Sequence, residues 1–319
     1  MASSDVPAQS DVLFENPFSI EDLLVFDQDT LHHMLACGDS QLSRTLLAHG
    51  LHGASSTLIS HITKSLSPEQ QQLLQDELRH PLPTQEAEQA RKELLDHLFW
   101  ELVYWKTPDL YEELTEGERL HEGIFQAIQP DLAGKVVLDA GAGSGRASFE
   151  CVRFGAEKVY AVEPSPGLLH LLRQKVRVDD KGKRIQPQSG RFTHLPVPDQ
   201  SIDTVISCSA FTALDDQGGE PGLAELRRVT KPGGKIIIIW PRTEDLDWFE
   251  QHGFHYVSMP VQGEMYIYFR SFECALRIAH LFYGHNPAVV DYLQKVQKPE
   301  IPFSVIGMNP PRDYFWLAV

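Results

Sequence analysis

Val136-Val-Leu-Asp139-Ala-Gly141-Ala-Gly143-Ser-Gly145-Arg146 decides how this chain is read. A short apolar run ends in a carboxylate, glycines then alternate, and a helical pattern follows. Glycine has no Cβ, so the turn can bend tightly and its backbone can lie against a ligand. The helix that follows aims free N–H groups and a positive dipole end at the loop. The dinucleotide fingerprint GxGxxG would put its third glycine at position 146, which is Arg146, so a nicotinamide-dependent oxidoreductase is disfavoured. No Gly-Lys-Ser/Thr follows, which excludes a Walker loop. The expected ligand lacks a pyrophosphate but still carries an adenosyl group. A ligand-free glycine turn is the competing reading.

Working outward, β-branched runs at 135–140, 158–162, 202–209 and 235–240 alternate with helical spacing at 144–154, 166–178 and 222–229. That alternation predicts an α/β, doubly wound parallel sheet with helices on both faces and right-handed crossovers. Glu163 closes the second run, one strand–helix–strand unit after Asp139. A carboxylate there can accept hydrogen bonds from ribose hydroxyls. By itself it would be an ordinary strand-end residue.

Four ordered segments now carry a resemblance: Asp139-Ala-Gly-Ala-Gly-Ser-Gly145, then Val162-Glu163, then Leu195-Pro-Val-Pro-Asp-Gln-Ser-Ile-Asp203-Thr-Val, then Leu226-Arg-Arg-Val-Thr-Lys-Pro-Gly-Gly234. Residues 110–260 resemble the class I methyltransferases that use S-adenosyl-L-methionine. The resemblance implies a Rossmann-like, seven-stranded, mainly parallel sheet and a methyltransferase activity. It implies that Asp139, Gly141, Ala142, Gly143 and Gly145 lie under the methionine part of the cofactor and that Glu163 holds the ribose. It places Arg191 and Phe192 beside adenine, and the strand end 208–211, with Ser209, beside the transferred methyl. The family often has an acidic residue where this chain has Arg191. A guanidinium only donates, so it cannot accept from the adenine amino group. A non-catalytic scaffold that binds the cofactor with the same fold is therefore the alternative to an enzyme.

The 319 residues suggest two units at roughly 150 residues each. Residues 1–130 read as an N-terminal helical region, with leucines at intervals of three and four. Residues 131–319 read as the cofactor-binding unit, with a helical insertion at 264–300 over the ligand end of the sheet and a last strand at 314–319. The chain is 42% hydrophobic and 23% charged, which excludes a disordered chain. Its 28 Lys+Arg against 44 Asp+Glu give a net charge of −16, which argues against nucleic acid and anionic membranes as partners. A small-molecule substrate is expected, with a protein substrate as the other possibility. Cys37, Cys151, Cys208 and Cys274 are scattered, with no CxxC pair. No signal segment or membrane span is evident, so a cytoplasmic protein is expected.

No catalytic residue is assigned, because methyl transfer needs a general base only if the nucleophile starts protonated. His194, Asp215, Asp216, His255, His280 and His285 are candidate bases, each more readily read as a surface or structural group. His32 and His33 are adjacent and do not share a helix face, so no metal site is expected. Asn309-Pro310-Pro311 reads as a turn before the last strand, since two prolines block helix and ladder alike. Phe99, Trp100, Tyr104, Trp105 and Tyr111 read as core between the two regions, with a substrate pocket as the alternative. Tyr266, Tyr268 and Phe269 pose the same question.

Overall fold

Nine strands are formed among the residues that this computed structural model describes, which are 16–36, 43–180 and 183–319. Cys37 and the first dozen residues, expected to fray, lie outside them. The strands are β1 (Val136–Ala140), β2 (Lys158–Glu163), β3 (Ile185–Ser189), β4 (Ile202–Cys208), β5 (Thr230–Ile239), β6 (His255–Ser258), β7 (Tyr266–Tyr268), β8 (Glu300–Pro302) and β9 (Asp313–Ala318). Seven form one sheet in the order β3-β2-β1-β4-β5-β9-β6, and β7 pairs with β8 alone. Strands β1 to β5 run parallel, and β9 lies antiparallel to both β5 and β6. The expected seven-stranded, mainly parallel sheet is thus present. The strand order reverses between β1 and β4, so a crevice opens at their carboxyl ends.

The central strands are buried on both faces, as parallel strands covered by helices must be. Val137, Leu138, Ile236, Ile237 and Ile239 are fully buried. Strand β3 gave no sequence signal because Gln186, Pro187 and Gln188 are polar or lack an N–H donor. Proline is tolerated there because β3 is an edge. Strand β5 begins earlier than its apolar run, since Thr230 pairs with Ile202 of β4 before a register shift, after which pairing resumes at Lys235. At the other side, Phe315 of β9 is fully buried and stacks on Phe249 at 5.1 Å. Phe315→Ala should cost about 3–5 kcal/mol, the range for emptying such a site, and urea unfolding will measure it.

Helices α1 (Gln28–Ala36), α2 (Arg44–Leu51), α3 (Ser56–Thr63), α4 (Pro68–Arg79), α5 (Thr84–His97) and α6 (Phe99–Lys106) precede the sheet. Ser43, Ser55 and Ser67 start α2, α3 and α4 by accepting the amides of Leu46, Leu58 and Gln70. Their apolar stripes close a core of their own around Leu23, Phe26, Leu51, Leu58, Ile62 and Leu94. Helices α7 (Pro108–Gly117) and α8 (Glu122–Ile128) pack differently. Leu114, Ile124, Phe125 and Ile128, all before residue 131, share the core of Leu132, Val137, Ile206 and Ile237.

Helices α9 (Arg146–Arg153), α10 (Pro166–Asp179), α11 (Gly219–Val229) and α12 (Leu246–Gln251) complete the alternation. The insertion is α13 (Phe272–Phe282) and α14 (Pro287–Val296), closed at its base by the β7–β8 ribbon, with the short α15 (Phe303–Ile306) beyond it. It was expected to lie over the ligand end of the sheet. Instead no residue of α13 or α14 lines the large cavity there. The insertion buttresses its roof, with Phe282 stacked on Trp100 at 5.6 Å.

Candidate active site

The glycine loop is tied to β2 at its start. The amides of Gly141 and Ala142 both donate to the Val162 carbonyl, at 2.9 and 3.0 Å. The loop's three glycines all take positive φ, but they do different work. A Cβ on Gly141 would lie 2.6 Å from the Ala210 Cβ and 3.0 Å from the Phe192 ring. At Gly143 the nearest atom to such a Cβ is the Tyr111 hydroxyl at 3.8 Å, an ordinary contact, and this backbone lines the cavity. Gly145 caps α9, and a Cβ there would meet Leu172 at 2.6 Å. Gly145 therefore packs inward and does not line the cavity, against expectation. Its left-handed turn is what swings α9 under the sheet.

Glu163 lies where the sequence put it, facing the loop. Its Oε2 accepts the Gly143 amide at 2.7 Å and its Oε1 accepts the Ser165 amide at 2.8 Å. Burial pushes its pKa up to about 7, with Glu101 and Asp139 adding to the rise and the two amides opposing it. Each oxygen keeps a second lone pair for a ligand hydroxyl. Asp139 closes β1. Its Oδ2 accepts from the Ser148 hydroxyl at 2.6 Å, while its buried Oδ1 has no partner. Burial pushes the Asp139 carboxyl up to about 6.

These groups border a cavity of about 1240 Å³. Asp139, Gly141, Ala142, Gly143, Glu163, Arg191, Phe192 and Ser209 all line it. Arg191 and Phe192 come from a tight turn closed by paired Arg191 and His194 backbones, and the Phe192 ring meets Phe211 edge-on at 5.1 Å. Ser209 follows β4 with φ of +58°, a conformation that costs a non-glycine residue about 1–3 kcal/mol and clusters at functional sites.

The aromatics read as core, with a pocket as the alternative, divide between the two. Trp100 and Tyr104 of α6 and Tyr111 of α7 line the cavity, whereas Phe99 and Trp105 go to the cores. Glu101, also in the roof, has its carboxyl raised by burial, and its Oε2 is buried without a partner. Tyr111, Thr115 and Glu118 repeat at helical spacing, so one face of α7 turns polar groups inward. That stripe was the signal available in the sequence. Burial pushes Glu118 up to about 7, opposed by Arg146. In the sequence Arg146 stands out only as a missing glycine. Its Nη2 donates to the Ser209 hydroxyl at 3.2 Å, and its Nη1 lies 3.6 Å from the Glu118 Oε2.

Among the candidate bases, Asp215 and Asp216 line the cavity, and His194, His255, His280 and His285 do not. Of the histidine pair, His33 reaches the cavity, while His32 bonds the Ser65 carbonyl. Asn309 also reaches the cavity, but its amide donates to Asp313 and its carbonyl accepts from the Trp240 indole, both at 2.8 Å. It is the turn residue expected. Tyr266, Tyr268 and Phe269 do not line the cavity. Among the described residues no group of His, Cys, Asp or Glu is placed to hold a metal.

The residues present fit S-adenosylmethionine. The site offers a cavity-lining glycine backbone at Gly143, a ribose-type acceptor at Glu163 and an orphaned carboxylate oxygen on Asp139. The cavity exceeds the usual small-molecule range of about 300–1,000 Å³, leaving room for a second molecule beside the cofactor.

The profile of the methyltransferase domain family matches residues 137–234, and that of the FliG C-terminal domain matches residues 6–98. An uncharacterized methyltransferase of Geobacillus kaustophilus is 32% identical over 184 residues, covering 55% of this chain and 82% of that protein. A malonyl-[acyl-carrier protein] O-methyltransferase of Yersinia pestis is 35% identical over 136 residues, covering 40% of this chain and 48% of its own length. The crystal structure of a SAM dependent methyltransferase from Aquifex aeolicus aligns with a TM-score of 0.39 at 22% identity, covering 47% of this chain and 89% of that one. With a relative matched over most of its length, and the sheet, the reversal point and the glycine loop in place, this chain belongs to the class I S-adenosylmethionine-dependent methyltransferases.

Proposed function

We propose that the methyl acceptor is a small organic molecule, taken into the cavity between the strand ends and the α6–α7 roof. The lining of that cavity carries the reading: Trp100, Tyr104 and Tyr111 border it together with the glycine loop. When bound, S-adenosylmethionine supplies a methyl group made electrophilic by its sulfonium. In this proposal Gly143 and Glu163 hold the nucleoside, Arg191 and Phe192 border its base, and the roof excludes water. Alignment and desolvation of this kind are the main requirements of an in-line displacement. Nucleic acid is not the expected substrate at a net charge of −16. Cys151, Cys208 and Cys274 are free thiols, which suits a reducing cytoplasm, and among the described residues no helix is long and apolar enough to cross a membrane.

Two measurements test this. Glu163→Ala should weaken S-adenosylhomocysteine binding by about 1.5–3 kcal/mol in calorimetry, the range for hydrogen bonds to a charged group. Binding equal to wild type would remove Glu163 from the site. Incubation with methyl-labelled cofactor and a cell extract should place label in the small-molecule filtrate. Label confined to protein or RNA would overturn the acceptor class.

A further inference from the structure

Arg146 is held more loosely than a guanidinium inside a protein ordinarily is. Its Nη1 donates to the Thr115 and Glu118 carbonyls at 3.4 and 3.2 Å, and its Nη2 to the Ser209 hydroxyl and Cys208 sulfur at 3.2 and 3.7 Å. Every one of these is a weak or neutral acceptor. The carboxylate facing it, Glu118, stands off at 3.6 Å, beyond the roughly 2.7–2.9 Å of a charge-assisted bond. Removing such a cation from water is costly unless a well-formed anion meets it. Both partners still show surface to the cavity, 24% of the Arg146 side chain and 12% of that of Glu118. The Trp240 ring flanks the guanidinium, 5.6 Å from its carbon, so a carboxylate reaching the Nη edge would have to displace only those weak or neutral acceptors.

We infer that Arg146 is a seat for a carboxylate brought into the cavity, with Glu118 as a stand-off occupant that the incoming group displaces. The seat lies between Trp240, which follows β5, and Ser209, which follows β4 in the stretch that the family resemblance puts beside the transferred methyl. Two sources have the right chemistry: a carboxylate on the acceptor, and the α-carboxylate of the cofactor's methionine part. The inference rests on the cavity being the cofactor site, and its test separates the two claims. A purely structural Arg146, pinning α7 to β4, would predict that all ligands weaken together when it is replaced.

Wild type and Arg146→Gln are titrated with S-adenosylhomocysteine and with 5′-methylthioadenosine, which lacks the amino-acid carboxylate. Each protein saturated with 5′-methylthioadenosine is then titrated with succinate. The expected result is a loss of about tenfold or more for a carboxylate-bearing ligand, with 5′-methylthioadenosine held within about twofold. Loss for S-adenosylhomocysteine assigns the seat to the cofactor, and loss for succinate assigns it to the acceptor. No loss in either, or an equal loss in all three, overturns the inference. Glu118→Gln, which keeps shape but removes the competing charge, should bind the same carboxylate more tightly, and weaker binding would count against the seat even if Arg146→Gln fails to fold. Should wild type bind neither nucleoside, the cofactor reading falls, while succinate titrated alone still reports on Arg146.

Discussion

Gly143→Val is expected to lose S-adenosylhomocysteine binding by about a hundredfold or more while the protein still unfolds in one cooperative step. The backbone there has φ of +56°, which a β-branched residue adopts only under strain of about 1–2 kcal/mol. A Cβ there has the Tyr111 hydroxyl, at 3.8 Å, as its nearest protein atom, and Gly143 lines the cavity where the nucleoside would lie. Relief of the strain would also pull the Gly143 amide off Glu163. Gly141→Val makes the contrast. Its Cβ collides with Ala210 and Phe192, so the damage falls on the join between β1 and β4 and stability drops along with binding. Calorimetric titration paired with thermal unfolding separates the two variants. A Gly143→Val protein that binds like wild type would remove the loop from the ligand site.

The second large effect is on pH. Glu118 and Glu163 are raised to about 7 and Asp139 to about 6, against ordinary values of 4.5 and 3.8. Through that interval the folded protein keeps protons that the unfolded chain has released, so stability must fall as pH rises from about 5 to about 8. The carboxyls of Asp22, Asp203 and Glu225, held below their ordinary range, act outside this window and lose their contribution only in stronger acid. His33, lowered by burial, opposes the trend near its ordinary value of 6.5. A ligand that donates hydroxyls to Glu163 favours the ionised carboxylate. S-adenosylhomocysteine should therefore bind more tightly at about pH 8 than at about pH 5.5, and it should stabilise the protein most where the free protein is weakest. Denaturant midpoints across this range, with and without ligand, check both signs. A free protein that gains stability steadily up to pH 8 would contradict the burial of these three groups.

Much of this site could be read from the chain because its chemistry is local. Asp139, Gly141 and Gly143 follow one another on a single turn, and Glu163 sits one crossover later at the end of a neighbouring strand. Gly145 packs toward Leu172 and off the cavity lining, and spacing alone cannot tell a glycine that yields room to a ligand from one that yields room to a side chain. Strand β3 was missed because edge pairing asks little of Gln186 and Gln188. The roof was harder for a different reason. Trp100 and Tyr104 carry core-like spacing, and what leaves them facing a cavity is the distant approach of α6 and α7 to the strand ends. The Arg146–Glu118 pair joins a helix start to a helix end well before it in sequence, with no local pattern linking them.

That division of labour has a consequence for descent. The glycine turn and Glu163 belong to the strand ends, while the opposite wall comes from α6 and α7, whose residues make no part of the sheet's hydrogen-bonded ladder. Exchanges at Trp100, Tyr104 or Tyr111 can reshape what the enzyme accepts while the donor's cradle is inherited intact. Diversification among relatives should accordingly concentrate on that wall.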